Sequence, residues 1–194
     1  MRLIAYEELI AAPWKNGGGV TRELACHPAG ASFDDFAWRV SIADVNRSGP
    51  FSAFPGIDRI ITLLDGDGML LQFEHGIHGL DQVLLPYRFR GEDRLDAQLL
   101  GKPSRDFNLM LRRDAVQGDV GVVREAGTAS NTSDGALLLF CAAGSWLVTA
   151  ADGIESMLKR GDTLVSETPA DSVSFRPLET GSALLRVSVV TLQN

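Results

Sequence analysis

Short apolar segments separated by glycine, aspartate and proline turns limit the folds that this chain can adopt. Residues 38–43 and residues 107–112 alternate apolar with polar side chains, which is the period of a β-strand. Only residues 6–12 have a helical pattern, and that segment is short. The sequence therefore predicts an all-β fold, an antiparallel sandwich or barrel, with a short N-terminal helix.

Two glycine-containing turns lie between apolar segments and predict β-hairpins. They are Asp65-Gly66-Asp67-Gly68 and Gly144-Ser145, and further strands follow each of them. This repetition is a weak sign of duplication and favours two small β-barrel units in tandem. Polar residues and Gly118 interrupt the strand pattern between them, so we predict one barrel in residues 1–115 and another in residues 116–194.

Charge and hydropathy exclude several classes of partner. The chain has 18 Lys and Arg against 25 Asp and Glu, and no three basic residues are consecutive, so nucleic acid is not an expected partner. Its longest apolar run, residues 136–143, is too short to span a bilayer. Glu7 and Glu8 stand where a signal peptide has its apolar core, which predicts a cytoplasmic protein. A homodimer is one expected assembly, since exposed strand edges favour pairing.

Four segments form a distinctive pattern. They read PWKNGGGVTRE at residues 13–23, WRVSIA at 38–43, GPFSAFPGIDR at 49–59 and RDFNLM at 105–110. This pattern closely resembles the HutD/Ves family of bacterial proteins. The resemblance implies a cupin-superfamily fold with two barrels (a bicupin) and a link to histidine utilisation. It also implies sensing or buffering of an intermediate such as urocanate or N-formylglutamate, without an established enzymatic activity.

Histidine spacing bears on a metal site, because many cupins bind a metal. Their usual signature has two histidines one residue apart, a glutamate shortly after, and a third histidine beyond the next hairpin. This chain has His27, His75 and His78, and the last two are three residues apart, which places them on opposite faces of a strand. No glutamate and third histidine follow at the required spacing. The sequence predicts no bound metal and no other cofactor.

Two strands carry polar residues suited to binding a carboxylate. Arg39 and Ser41 share one face of residues 38–43, and Asn108 and Arg112 share one face of residues 107–112. These faces either contact solvent or line the mouth of a barrel. Arginine together with amide and hydroxyl donors suits a carboxylate, which accepts paired hydrogen bonds.

A glycine run lies between two further cations. The run Asn16-Gly17-Gly18-Gly19 lacks the spacing of a phosphate-binding P-loop, so it either presents backbone N–H groups to an anion or forms a tight or mobile loop. Lys15 and Arg22 flank it and favour closure over a ligand. The neighbouring Trp14 either covers a planar ligand or packs in the core.

Arg59 begins a strand after a segment rich in proline and phenylalanine, which is expected to close one end of a barrel. It either points inward toward a ligand or pairs with Asp58 or another carboxylate. The complete set of candidate ligand-binding residues is Trp14, Lys15, Asn16, Gly17, Gly18, Arg22, Arg39, Ser41, Arg59, Asn108 and Arg112.

The interpretation that best fits these residues is a metal-free double cupin that binds a small anionic metabolite of histidine catabolism and senses or regulates histidine utilisation. Acid–base catalysis most often uses histidine, and the four motif segments contain none. The alternatives are a metal-free isomerase or hydrolase acting on a small carboxylate, and an interaction protein whose pocket is filled by side chains. We expect residues 1–115 to build most of the ligand pocket.

Overall fold

A computed structural model describes residues 1–131 and 134–193. These residues form nineteen β-strands and a single 3₁₀ turn, Tyr6–Glu8. The strands are β1 (Arg2–Ile4), β2 (Ala11–Pro13), β3 (Gly19–His27), β4 (Trp38–Val45), β5 (Gly49–Pro50), β6 (Ile57–Asp65), β7 (Met69–Phe73), β8 (Gly76–Leu80), β9 (Pro86–Arg90), β10 (Leu95–Leu99), β11 (Ser104–Arg112), β12 (Val116–Val123), β13 (Gly127–Ser130), β14 (Gly135–Ala143), β15 (Ser145–Ala150), β16 (Glu155–Lys159), β17 (Thr163–Ser166), β18 (Ser172–Pro177) and β19 (Ala183–Thr191). The all-β prediction is confirmed, and the alternating segments lie in β4 and β11.

The chain divides into two compact units. The first unit is Ile10–Ala115, and the second unit combines Met1–Leu9 with Val116–Asn194. In the first unit, one sheet has the order β2-β3-β4-β11-β6-β9 and the other β5-β10-β7-β8. In the second unit, the orders are β1-β17-β14-β19-β12 and β13-β18-β15-β16, and neighbouring strands in both units run antiparallel.

One strand order occurs twice. The strands β4-β11-β6-β9 and β5-β10-β7-β8 of the first unit correspond to β12-β19-β14-β17 and β13-β18-β15-β16 of the second. The topology therefore repeats within the chain. That residues 1–115 and 116–194 form two cupin-like barrels stays a prediction.

The two predicted hairpins are wrong. The strands on either side of residues 65–68 do not pair with each other, since β6 pairs with β11 and β9 whereas β7 pairs with β10 and β8. The strands around Gly144 also belong to different sheets. Each turn carries the chain from one sheet to the other sheet of its unit. A Cβ on Gly68, whose φ is +85°, would lie 2.3 Å from the carbonyl oxygen of Leu80, so this turn packs against the end of β8.

The predicted N-terminal helix over residues 6–12 is also wrong. Its first residues form the 3₁₀ turn Tyr6–Glu8, and its last residues belong to β2, which pairs with residues 20–22 of β3. Seven residues are too few for a stable helix without packing partners. Pairing with β3 gives the backbone of Ala11–Pro13 hydrogen-bonding partners in a sheet instead. None of the helical segments described here is long and apolar enough to cross a membrane.

Each unit has its own apolar core. In the first unit the core is formed mainly by Val45, Ile61, Leu63, Met69, Leu71 and Phe73, and a smaller cluster contains Phe36, Ile57 and Met110. In the second unit Trp146 is fully buried and packs edge to face against Phe175, among leucines of β14 and β16. Bulky side chains thus fill the cores of both units, and the first unit also contains the cavity described next.

Candidate ligand-binding cavity

The first unit contains a cavity of about 470 Å³, a volume within the usual range for small-molecule sites. Strands β2, β3, β4, β6 and β11 and the end of β5 line it, together with the loops that contain residues 14–16, residue 33 and residues 51–54. Its lining residues are Ala12, Pro13, Trp14, Lys15, Asn16, Thr21, Phe33, Arg39, Ser41, Ala43, Pro50, Phe51, Ser52, Phe54, Arg59, Asp106, Asn108 and Met110.

Strand register explains why polar residues meet in this cavity. Asn108 of β11 lies opposite Ser41 of β4. Met110 lies opposite Arg39 on one side and opposite Arg59 of β6 on the other. Because side chains on a strand alternate between faces, these residues project to the same side of the sheet. The two arginines therefore flank the same position of the central strand.

Arg59 is a buried cation. Its side chain is 6% exposed, and its Nε–H donates to Asn108 Oδ1 over 3.4 Å. The guanidinium carbon lies 4.9, 5.5 and 5.6 Å from the ring centres of Phe89, Phe51 and Phe54. Among the described residues Arg59 forms no ion pair. Burial lowers the pKa of Arg59 to about 10, and the group remains positively charged at neutral pH.

Arg39 is held more loosely. Its Nε–H donates to Glu23 Oε2 over 2.7 Å, and its guanidinium lies 4.6 Å from the ring centre of Phe33. Glu23 is 41% exposed, so this ion pair is open to solvent and weak. Among the described residues Arg39 forms no other ion pair. Arg39 therefore pairs with Glu23 and also lines the cavity.

Asp106 also lines the cavity, and the sequence interpretation did not include it. It is 2% exposed, and its Oδ2 has no hydrogen-bond partner among the described residues. Burial raises the pKa of Asp106 to about 7, the charge of Arg59 opposes that increase, and Asp44 adds to it. A signal was present, because Asp106 precedes Asn108 by two positions and shares its face.

Hydrogen bonds within the loop itself hold the glycine run in place. Gly18 N–H donates to Asn16 Oδ1 over 2.9 Å, and Gly17 N–H donates to the carbonyl oxygen of Trp14 over 3.0 Å. The indole N–H of Trp14 donates to Thr21 Oγ1 over 2.7 Å. Trp14, Lys15 and Asn16 line the cavity, whereas Gly17 and Gly18 do not.

Two predicted arginines lie away from the cavity. Arg22 forms an ion pair with Asp44 at 2.6 Å, and Arg105 contacts the other oxygen of the same carboxylate, also at 2.6 Å. Arg112 donates to the backbone carbonyl oxygens of Phe36 and Asp34 over 2.9 and 2.6 Å. The structure thus brings together seven of the eleven predicted residues and leaves Gly17, Gly18, Arg22 and Arg112 outside.

The motif segments that build this cavity coincide with a family match. The profile of the HutD family matches residues 6–185. The chain belongs to the HutD family. It is 37% identical over 149 residues to Protein Ves of Citrobacter koseri, covering 72% of this chain and 74% of that protein. It is 43% identical over 113 residues, 57% of each chain, to an uncharacterised 21.2 kDa protein in the hutC 3' region of Pseudomonas putida.

Solved structures confirm the architecture. HutD from Pseudomonas fluorescens SBW25 superposes with a TM-score of 0.83 at 29% identity, covering 99% of each chain. Oxalate decarboxylase from Lactobacillus farciminis superposes with a TM-score of 0.65 at 8% identity, covering 96% of this chain and 85% of that one. The second likeness concerns the fold alone. The fold of this HutD-family chain is cupin-like.

The residues of the cavity do not fit a metal centre of the cupin kind. None of the three histidines lines it: His27 stacks on Trp38, His75 on Phe73 and His78 on Tyr87. Within the described ranges, no three His, Cys, Asp or Glu side chains cluster at metal-binding distances. Asp106 is the single acidic residue of the lining, and it shares the cavity with two arginines and a lysine. A divalent cation requires several acidic, imidazole or thiolate ligands, whereas this lining suits an anion.

Proposed function

We propose that this protein binds a small carboxylate in the cavity of the first unit. The observation that carries the proposal is the buried Arg59 guanidinium, which forms no ion pair among the described residues yet lines a cavity of about 470 Å³. Burying a charge without an ion pair is costly. Asp106 attracts Arg59 without forming an ion pair with it, so a carboxylate bound directly against Arg59 would stabilise the buried charge further. Arg39, Ser41 and Asn108 add donors next to the same position.

The ligand that we propose is urocanate or N-formylglutamate, bound in the course of sensing or regulating histidine utilisation. Membership of the HutD family and the likeness to a protein from a hutC region support this choice. The chemistry of the cavity is compatible with both ligands. Trp14, Phe51 and Phe54 offer aromatic surfaces for a planar imidazole-acrylate, and two arginines offer partners for a dicarboxylate.

We further propose that the two units are tandem cupin-like barrels without a bound metal, and that the second acts as scaffold. The repeated strand order supports a common architecture. The second unit also has a cavity, of about 370 Å³, but among the described residues no arginine, lysine or histidine lines it, which supports the difference in role.

A second candidate function is a metal-free enzyme, an isomerase or hydrolase of small carboxylates, and Asp106 is the observation that favours it. A general acid or base works best with a pKa near the working pH, and burial raises the pKa of Asp106 to about 7. Incubating the protein with each ligand and analysing the mixture for products separates an enzyme from a binding protein.

The binding proposal is tested by calorimetric titration of the wild type and of Arg59→Met. Methionine removes the charge and keeps an unbranched side chain among the phenylalanines. A lost hydrogen bond to a charged group, worth about 1.5–3 kcal/mol, predicts affinity weaker by roughly 10- to 150-fold. Arg94→Met, at an exposed position of the same unit outside the cavity lining, should bind as the wild type does.

Two results would contradict the proposal. The first is equal affinity of Arg59→Met and wild type for a ligand that both bind. The second is the failure of the wild type to bind either ligand at millimolar concentration.

A further inference from the structure

Asp106 presents a buried acceptor without a donor. Almost all buried polar atoms in folded proteins have a hydrogen-bond partner, so the orphaned Oδ2 requires an explanation. Its carboxyl group is 2% exposed and lines the same cavity as Arg39 and Arg59. Oδ2 is closed off from the cavity, and Oδ1, which also has no hydrogen bond among the described residues, is the oxygen within reach of a ligand. A carboxyl group without a donor on a cavity wall points to a donor supplied by the contents of the cavity.

The neighbouring residues of the sheet do not supply this donor. Asp106 lies opposite Ala43 of β4 and Leu63 of β6, and both side chains are apolar. Arg59 attracts the carboxylate electrostatically but forms no ion pair with it, and Asp44 adds a charge of the same sign. A hydrogen bond to the Asp106 carboxyl group therefore has to come from an N–H or O–H group that is not part of the described residues.

The position of Asp106 along β11 indicates how a ligand would lie. Met110 is flanked by both arginines, and it is four residues from Asp106, a separation of about 13 Å along a strand. The Nε–H of Arg59 nevertheless reaches Asn108, which is two residues from Asp106, so the Arg59 guanidinium and the Asp106 carboxyl group lie on neighbouring parts of the cavity wall. A molecule that satisfies both must carry an anionic group and, separately, a hydrogen-bond donor.

We propose that Asp106 accepts a hydrogen bond from an N–H group of the ligand, so that the cavity selects carboxylates that also carry an N–H donor. This inference rests on the proposed function, in which the arginines hold the carboxylate. It adds a specificity determinant, because a site built to pair a ligand N–H group binds an analogue of the same shape without that group much more weakly.

The experiment compares urocanate, which has an imidazole N–H, with 3-(2-furyl)acrylate, which has nearly the same shape and carboxylate but no N–H. Calorimetric affinities are measured for wild type, Asp106→Leu and Asp106→Asn at about pH 8.5, above the value of about 7 to which burial raises the pKa of Asp106. Leucine suits the apolar surroundings and removes the acceptor, whereas asparagine keeps an acceptor oxygen without charge. Asp96→Leu, on the exposed face of β10, is the matched control.

We expect the wild type and Asp96→Leu to bind urocanate at least tenfold more tightly than the furyl analogue, since the hydrogen bond involves a charged group. Asp106→Leu should bind the two ligands within about twofold of each other, because the hydrogen bond that distinguishes them is lost. Asp106→Asn should keep part of the preference. It also provides the test if the leucine variant does not fold, which circular dichroism would reveal.

Equal wild-type affinity for the two ligands overturns the role of Asp106 and leaves carboxylate binding by Arg59 intact. The same conclusion follows if the preference for urocanate persists in Asp106→Leu. Failure of the wild type to bind either molecule overturns the proposed function together with this inference.

Discussion

Replacing Asp106 by asparagine in the ligand-free protein is expected to raise the free energy of unfolding by an amount that grows with pH. An aspartate in the unfolded chain has a pKa near 3.9, whereas burial raises that of Asp106 in the folded protein to about 7. Between these values the folded state holds a proton that the unfolded state has released. Wild-type stability therefore falls as pH rises through this interval, and an asparagine does not titrate.

The size of this effect follows from the two pKa values. Each pH unit between them lowers the wild-type free energy of unfolding by about 1.4 kcal/mol, so three units amount to about 4 kcal/mol at most. Arg59 does not alter the sign, because its pKa, lowered to about 10, keeps it charged throughout the interval. The advantage of Asp106→Asn over wild type should be smallest near pH 4 and should stop growing above about pH 7.

Urea unfolding of both proteins at a series of pH values measures this difference directly. Asp96→Asn is the control, because Asp96 is exposed on β10 and its replacement should shift stability little at any pH. A difference between Asp106→Asn and wild type that stays constant from about pH 4 to about pH 8 would refute the reasoning, since it would place the carboxyl pKa near that of the unfolded chain.

Three other outcomes are expected. Arg39→Ala should weaken carboxylate binding by roughly 10- to 150-fold in calorimetry. Arg39→Lys should restore only part of that affinity, because an ammonium group cannot contact both carboxylate oxygens in one plane. Unchanged affinity in Arg39→Ala would show that this residue does not contact the ligand. Gly68→Ala should lower the urea midpoint of unfolding more than Gly153→Ala. Both glycines have positive φ, but only a Cβ on Gly68 would meet a carbonyl oxygen at 2.3 Å. An equal decrease of the midpoint in the two variants would contradict this close approach. Elemental analysis of purified protein should find no stoichiometric transition metal, and one metal per chain bound by histidine would contradict the interpretation of the cavity.

Side-chain alternation within strands was readable from the sequence, and it located much of the candidate site. Arg39 and Ser41 share a face of β4, and Asn108 shares a face of β11, because the period of two is a local property of the chain. The same period applies to Asp106. It was missed because an aspartate in a strand is usually exposed to water, and its burial depends on strands far away in sequence.

Pairing between strands was not readable in the same way. The turn at residues 65–68 has hairpin chemistry, but β6 and β7 have other partners on both edges, which local residues do not specify. Arg22 and Arg112 show the same limit for side chains. Their partners, Asp44 and the carbonyl oxygens of Asp34 and Phe36, are brought near by the fold, so the charge pattern alone did not exclude these arginines from the site.

A crystal structure of the protein with bound urocanate tests the central claim most directly. The account predicts the ligand in the cavity of the first unit, with its carboxylate against Arg59 and Arg39 and its ring N–H within hydrogen-bond distance of Asp106. A ligand enclosed by residues 140–190, or one in the first unit without contact to Arg59, would contradict the account.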